Sequence, residues 1–271
     1  MIARPIPCSG EMLPVIGCGT YLGFDVAHGS AEFRSLPDVL SALFDAGGSV
    51  VDTSPMYGRA EEALGHLLHA NRKRAFIASK VWTHGREAGT RQLHESMHLM
   101  RTESIDLMQV HNLLDWRAHL PALREWKARG LIRYFGITHC DASAYAEMEK
   151  IMRAEALDFI QVNYSLEHRE AAERILPLAA DLGIAVLANM PFGSGWQLRR
   201  PHDQPLPSWA AEIGIKSWPQ LLLKFVLSHP SVTCVIPGTG NPRHMQDNLR
   251  AGEGDIPELA FWDSHTIQAP G

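Results

Sequence analysis

Ser49-Val50-Val51-Asp52-Thr53-Ser54-Pro55-Met56-Tyr57-Gly58 contains the unit from which the chain is built. It opens on β-branched apolar residues, which suit a buried strand, and turns polar at Asp52. Pro55 and Gly58 then mark a turn. Just beyond, Ala63, Leu64, Leu67 and Leu68 fall three or four apart, the spacing of one helical face. A buried strand, a polar turn and a helix with one apolar stripe make a βα unit.

The same unit recurs in both directions. Strands are expected at 15–20, 49–53, 76–81, 105–111, 134–138, 159–164, 185–190 and 233–237. Each is rich in the apolar residues of parallel strands buried on both faces. Helical stripes lie between them: Leu36, Leu40, Leu43 and Phe44; Leu93, Met97 and Met100; Leu120, Leu123 and Trp126; Leu221, Leu222, Phe225 and Val226. Eight βα units in 271 residues match a closed (β/α)8 barrel, a TIM barrel, better than an open doubly wound sheet. One such domain accounts for residues 1–271. Gly17-Cys18-Gly19 lacks a third glycine and a helix directly after it, so a Rossmann phosphate loop is rejected. Two stretches fall outside the repeat. Residues 2–7 and 11–14 around Ser9-Gly10 read as an N-terminal hairpin closing the bottom of the barrel. Residues 193–207, between strands seven and eight, read as a long loop over the catalytic face.

Composition narrows the partners. With 45% hydrophobic and 20% charged residues and a net charge of −5, the chain reads as an ordinary globule, with no basic footprint for nucleic acid or an anionic membrane. No run approaches the roughly 20 apolar residues of a spanning helix, and Met1-Ile2-Ala3-Arg4-Pro5 begins no signal-peptide core. Cys8, Cys18, Cys140 and Cys234 are scattered and form no CxxC; they are expected to be reduced thiols of a cytoplasmic protein.

Chemistry is expected where the strands end, because the C-terminal ends of barrel strands converge on one mouth. Strand two ends in Asp52 and leads to Tyr57, strand three ends Ser79-Lys80, and strand four ends Gln109-Val110-His111. A lysine on a buried strand needs a partner, and Asp52 is one strand away. An ammonium next to a phenol favours the phenolate, so Lys80 is expected to pull the Tyr57 pKa below its usual value of about 10. Tyr57 would then protonate a developing alkoxide, with His111 hydrogen-bonding the carbonyl oxygen. Taken singly, Tyr57 reads as a packed tyrosine and Lys80 as half of a structural ion pair; taken together, the four residues favour catalysis.

These motifs resemble those of the aldo-keto reductases, nearly end to end. Asp52-Thr53-x-x-x-Tyr57-Gly58-x-x-Glu61 resembles the family's Asp–Tyr signature, Ile77-Ala78-Ser79-Lys80-Val81-Trp82 its lysine strand, and Asp106-Leu107-x-Gln109-x-His111 its histidine strand. The resemblance implies a TIM-barrel oxidoreductase that transfers hydride from NADP(H) to the carbonyl of an aldehyde or ketone. Tyr57 would be the acid, Asp52 and Lys80 its tuning pair, and His111 the orienter. It also implies a cofactor site: Gly19, Thr20 and Tyr21 near the nicotinamide with Asp52; Thr138, His139, Gln161 and Asn189 around it; Pro191, Gly193, Ser194 and Gly195 after the seventh strand; and Ile236, Pro237, Gly238, Thr239, Arg243, His244, Asp247 and Asn248 at the adenosine phosphate. Tyr21, Tyr57, Trp82, His111 and Trp196 are the expected substrate walls.

The sequence departs from the family in four places. Thr138-His139 stands for a common Ser-Asn, Asn189 for a tyrosine that stacks on the ring, Gly238 for a lysine and His244 for an arginine at the 2′-phosphate. No resident metal is expected: His94 and His98 lie four apart on one helix without an acidic third ligand at metalloprotease spacing. Two alternatives stand beside the reductase, a nicotinamide-binding sensor subunit with little turnover and a metal-dependent barrel hydrolase or isomerase. A monomer or weak oligomer is expected, since members of the family are often monomers.

Overall fold

The computed structural model describes residues 1–69, 71–193 and 205–265. A hairpin of β1 (Ala3–Pro5) and β2 (Met12–Pro14) comes first. Eight parallel strands follow: β3 (Cys18–Gly19), β4 (Val50–Asp52), β5 (Phe76–Val81), β6 (Ile105–His111), β7 (Ile132–His139), β8 (Phe159–Asn163), β9 (Ala185–Asn189) and β10 (Cys234–Val235). They pair in sequence order. After each comes one helix of the outer ring: α1 (Leu36–Asp45), α2 (Ala60–Leu67), α3 (Arg86–Leu99), α4 (Trp116–Ala128), α5 (Tyr145–Ala154), α6 (Ile175–Asp181), α7 (Trp218–Ser228) and α8 (Pro242–Leu249). A further helix, α9 (Leu259–Ser264), packs its Trp262 edge-on to Phe225 of α7.

The sheet closes on itself. Ile16 bridges Val235 and Gly19 bridges Gly238, both parallel, and Gly17 N–H donates to Val235 O at 2.9 Å. This seam explains Gly17-Cys18-Gly19. A Cβ on Gly17 would come within 2.9 Å of the Val50 Cβ, and one on Gly19 within 3.0 Å of the Ile236 carbonyl oxygen. The glycines allow close approach of strands, not of a phosphate. Strands β3 and β10 are shorter than the expected 15–20 and 233–237, because their outer residues join the seam through isolated bridges rather than a continuous ladder. Of the expected 193–207 loop, residues 194–204 lie outside the described residues.

Alternate strand residues fill the barrel. Phe76, Tyr134 and Phe159 pack together in its lower part with Val50, Leu107 and Leu187. The hairpin plugs this end, as expected, with Ile6 and Leu13 buried in the same cluster. It is held by polar groups too. Glu11 accepts from the Tyr134 hydroxyl at 2.6 Å and pairs with Arg133. Arg4 donates to the carbonyls of Leu227 at 2.6 Å, His229 at 3.2 Å and Val232. One of these, Leu227 O, is a last-turn carbonyl of α7, which has no partner within the helix. Replacing Arg4 with Met keeps the aliphatic stem but strands the carbonyls of Leu227 and Val232, while His229 O keeps the Val232 N–H at 3.1 Å. It is expected to cost about 2–3 kcal/mol, read as a lower urea midpoint with activity per folded molecule unchanged.

Candidate active site

The upper barrel is polar where the lower part is apolar. On the inward parity of β4 to β9 lie Asp52, Lys80, Gln109, His111, Thr138, Gln161, Asn163 and Asn189. Backbone strain gathers at the same end. Leu22, Asn112, Leu113, Asp115 and Met190 all have positive φ between 48° and 61°, in the turns after β3, β6 and β9. Non-glycine residues pay for that conformation, and such strain tends to mark functional sites.

Lys80 is fully buried and uses all its protons. Its Nζ donates to Asp52 Oδ1 at 2.9 Å, to Asp52 Oδ2 at 2.8 Å and to Thr53 O at 2.7 Å. Nζ also lies 5.1 Å from the centre of the Tyr57 ring. The turn after β4 delivers that ring. Tyr57 N–H donates to Ser54 O at 3.0 Å, and Gly58 takes φ +57°. A Cβ at Gly58 would sit 2.2 Å from Asp25 Oδ1, the atom that accepts the Arg59 N–H at 2.9 Å. Glu61 anchors the next turn: buried, it accepts from Ser79 Oγ at 2.6 Å and Ser96 Oγ at 3.0 Å, tying α2 to β5 and α3. Burial raises its carboxyl pKa against those hydrogen bonds.

The four expected catalytic residues therefore meet at one place. His111 stands edge-on to Tyr57 with ring centres 6.0 Å apart, and Trp82 lies 6.5 Å from His111. Tyr21 packs 5.1 Å from Tyr57. Tyr21, Leu22, Met56, Trp82 and Met190 are exposed, so the mouth has an apolar, partly aromatic rim. Trp196, the other expected wall, lies outside the described residues.

One electrostatic expectation is corrected. Burial drives the Tyr57 pKa up, and the Lys80 charge, which pulls it down, is the smaller effect. The phenol is thus more firmly protonated than a free tyrosine. His111 moves the other way: burial first, then the Lys80 charge and His139, hold it at about 3. Its imidazole is neutral across the physiological range.

On the cofactor side, Gln161 Nε2 donates to Asp52 Oδ1 at 2.8 Å, while its Oε1 accepts from Thr138 Oγ1 at 3.1 Å and, more weakly, from Asn189 Nδ2 at 3.4 Å. Thr138, Gln161 and Asn189 so form one chain ending on the Asp52–Lys80 pair. His139 Nδ1 accepts the Asp141 N–H at 3.0 Å, which leaves Nε2 as its N–H. Buried acceptors without a partner among the described residues include Thr20 Oγ1, Asn163 Oδ1 and Asn189 Oδ1. The seam brings Gly19, Thr20 and Tyr21 beside Ile236, Pro237, Gly238 and Thr239. Helix α8 starts there, capped by Asn241 Oδ1 on Arg243 N at 2.9 Å, and Arg243 and His244 are exposed on its first turn. Pro191 and Gly193 follow β9 and are buried. Asn248 is buried, and Asp247 faces α7, accepting from Ser217 Oγ and Gln220 Nε2, both at 2.6 Å. Ser194 and Gly195 lie outside the described residues.

Three polar groups of this layer carry no sequence-level assignment. Ser54 Oγ lies 3.0 Å from His111 Nδ1. Both amide atoms of Gln109 are buried without partner among the described residues. Glu61 has the motif position but gains its role only from Ser79 and Ser96. Only Gln109 carried a signal, a polar residue in a strand otherwise reading as buried; Ser54 sits in a turn and Glu61 at a helix start, where polar residues are ordinary. Among the described residues no group of three or more His, Cys, Asp or Glu side chains is arranged to hold a metal ion.

The sequence model of the aldo/keto reductase family matches residues 15–266. The chain belongs to the aldo/keto reductase family. It is 28% identical to the methylglyoxal reductase YeaE of Escherichia coli K12, over 97% of this chain and 95% of that protein. Among solved structures, an aldo-keto reductase of Klebsiella pneumoniae in complex with NADPH superposes with a TM-score of 0.81 at 26% identity, covering 97% of this chain and 94% of that one. Another from the same organism, in complex with NADP and acetate, gives 0.80 at 27% identity over 94% and 92%. As a family member the chain is an oxidoreductase on a (β/α)8 barrel. No described helix is long and apolar enough to cross a membrane.

Proposed function

We propose that this aldo/keto reductase reduces the carbonyl of an aldehyde or ketone with NADPH, Tyr57 giving the proton. The observation that carries the reading is the convergence of Tyr57, His111 and the buried Lys80–Asp52 pair under an apolar rim. When bound, NADPH supplies the hydride. The residues present fit it. Thr20 Oγ1 and Asn189 Oδ1 are buried without partner among the described residues and would face the nicotinamide end, where Thr138, His139, Gln161 and Asn189 would hold the carboxamide. Gly238, Thr239, Arg243 and His244 would hold the adenosine phosphate at the start of α8.

His111 fixes the carbonyl oxygen within reach of Tyr57, and Tyr57 O–H protonates that oxygen as negative charge develops on it. Lys80, held by Asp52, stabilises the phenolate left behind. Tyr21, Trp82 and Met56 give the mouth an apolar rim against which a carbonyl substrate would pack. The intact set of four favours an enzyme over a sensor subunit, which needs cofactor binding alone. The similarity to a methylglyoxal reductase supports a small carbonyl compound as substrate. We further infer a single barrel unit that acts as a monomer or weak oligomer. The free thiols of Cys8, Cys18, Cys140 and Cys234 support the reducing cytoplasm as its compartment.

Titration of the purified protein with NADPH and NADH, followed by fluorescence, tests the cofactor. NADPH is expected to bind at least about tenfold more tightly, the worth of one charge-assisted contact to the 2′-phosphate. Arg243→Ala is expected to narrow that ratio. Equal affinity for the two nucleotides would remove Arg243 and His244 as phosphate ligands.

A further inference from the structure

We infer that Ser54 is a positioning residue that fixes the tautomer of His111, so that Nε2 carries the proton offered to the substrate carbonyl. The inference deepens the carbonyl-reductase reading and rests on it for the substrate's part. The rest stands on the Ser54–His111 geometry, with the burial that keeps His111 neutral.

Ser54 is fully buried and its Oγ has two neighbours, the Met56 N–H at 3.3 Å and His111 Nδ1 at 3.0 Å. A backbone N–H only donates, so Oγ accepts from Met56. A serine hydroxyl has a single proton to give, and the only acceptor it meets among the described residues is Nδ1. In a neutral imidazole one nitrogen bears hydrogen and the other accepts. His111 is held neutral by burial and by the charge of Lys80. Were Nδ1 protonated, it would have to donate to Ser54 Oγ. The proton of the fully buried Ser54 would then lack an acceptor among the described residues, and Nε2 would present a lone pair to a carbonyl oxygen. With Nδ1 as acceptor both the Ser54 hydroxyl and Nδ1 are satisfied, and the proton is left on Nε2 of a ring flanked by Tyr57 and Trp82.

The arrangement also couples the two halves of the proton-donor site. Thr53 O takes one proton of Lys80, Ser54 O takes the Tyr57 N–H, and Ser54 Oγ sets His111. With Asp52, three consecutive residues therefore place the lysine, the acid and the orienter. A shift of this tripeptide would misalign all three at once.

Long-range proton–nitrogen NMR on protein labelled with 15N-histidine reads the tautomer directly, without cofactor or substrate, so the result is independent of what the enzyme reduces. The His111 signals are assigned by their loss in His111→Gln. The wild type is expected to show a protonated, pyrrole-like Nε2 and an unprotonated, pyridine-like Nδ1. In Ser54→Ala the two nitrogens are expected to move toward averaged values. There kcat and kcat/KM for a carbonyl should fall together by about tenfold, the worth of one hydrogen bond made in the transition state. NADPH affinity should not change. A wild-type His111 protonated on Nδ1 overturns the inference, and does so even if the alanine variant fails to fold. An unchanged tautomer in Ser54→Ala overturns it as well. Turnover of no carbonyl by the wild type, with the expected tautomer present, would remove the reductase reading and leave the role of Ser54 intact.

Discussion

Tyr57→Phe is expected to lower kcat for carbonyl reduction by about 10²–10⁴-fold, the usual contribution of a positioned general acid, while NADPH binds as in the wild type. The ring stays: its packing against Tyr21 and His111 needs no hydroxyl. Only the hydroxyl, and with it the transferable proton, is removed. The pH profile sharpens the test. Burial raises the Tyr57 pKa beyond what Lys80 takes away, so the acid stays protonated up to at least the ordinary tyrosine range near 10. His111 at about 3 is already neutral throughout. The kcat/KM of reduction, which reports the free enzyme, should therefore show no limb from either group between pH 5 and 9. A fall in rate centred near neutrality that vanishes in Tyr57→Phe would mean that Lys80 outweighs burial. Wild-type turnover by the phenylalanine variant would dismiss Tyr57 as the acid.

The pattern of alternating units was legible because each element carries its own signal: β-branched strand cores, a helical stripe after each, and Gly or Pro between. The barrel's closure was less so. The two strands that meet at the seam, β3 and β10, are two residues each, and their contact is a long-range matter of Gly17 and Gly19 rather than of local propensity. That Asp52, Tyr57, Lys80 and His111 would meet was readable because the ends of barrel strands converge on one mouth. Ser54 was not, since a serine in a turn has many ordinary uses and its partner is 57 residues away in the chain. The direction of the Tyr57 pKa is hidden from sequence for a related reason. Sequence places the lysine beside the tyrosine but does not show how deeply the ring is buried, and burial was the larger effect.

Lys80→Met is expected to be as damaging to stability as to catalysis. The methionine fills nearly the same space, so the loss is electrostatic. Asp52 would remain in the barrel with its carboxylate hydrogen-bonded by Gln161 alone, and Thr53 O would lose its donor. Removing one partner of a buried ion pair costs about 3–5 kcal/mol, chiefly because the other charge is left without compensation. The double variant Lys80→Met/Asp52→Leu removes both charges and should recover most of that stability, seen as a return of the urea midpoint. Its activity should not return. The phenolate formed at Tyr57 would still lack the ammonium now 5.1 Å from its ring, so kcat should stay lower by about 10²-fold or more. The two readouts separate what the pair does. If the double variant is as unstable as Lys80→Met, the cost lies in packing or in Thr53 O rather than in the stranded carboxylate. If it regains turnover along with stability, Lys80 holds the fold and has no part in stabilising Tyr57.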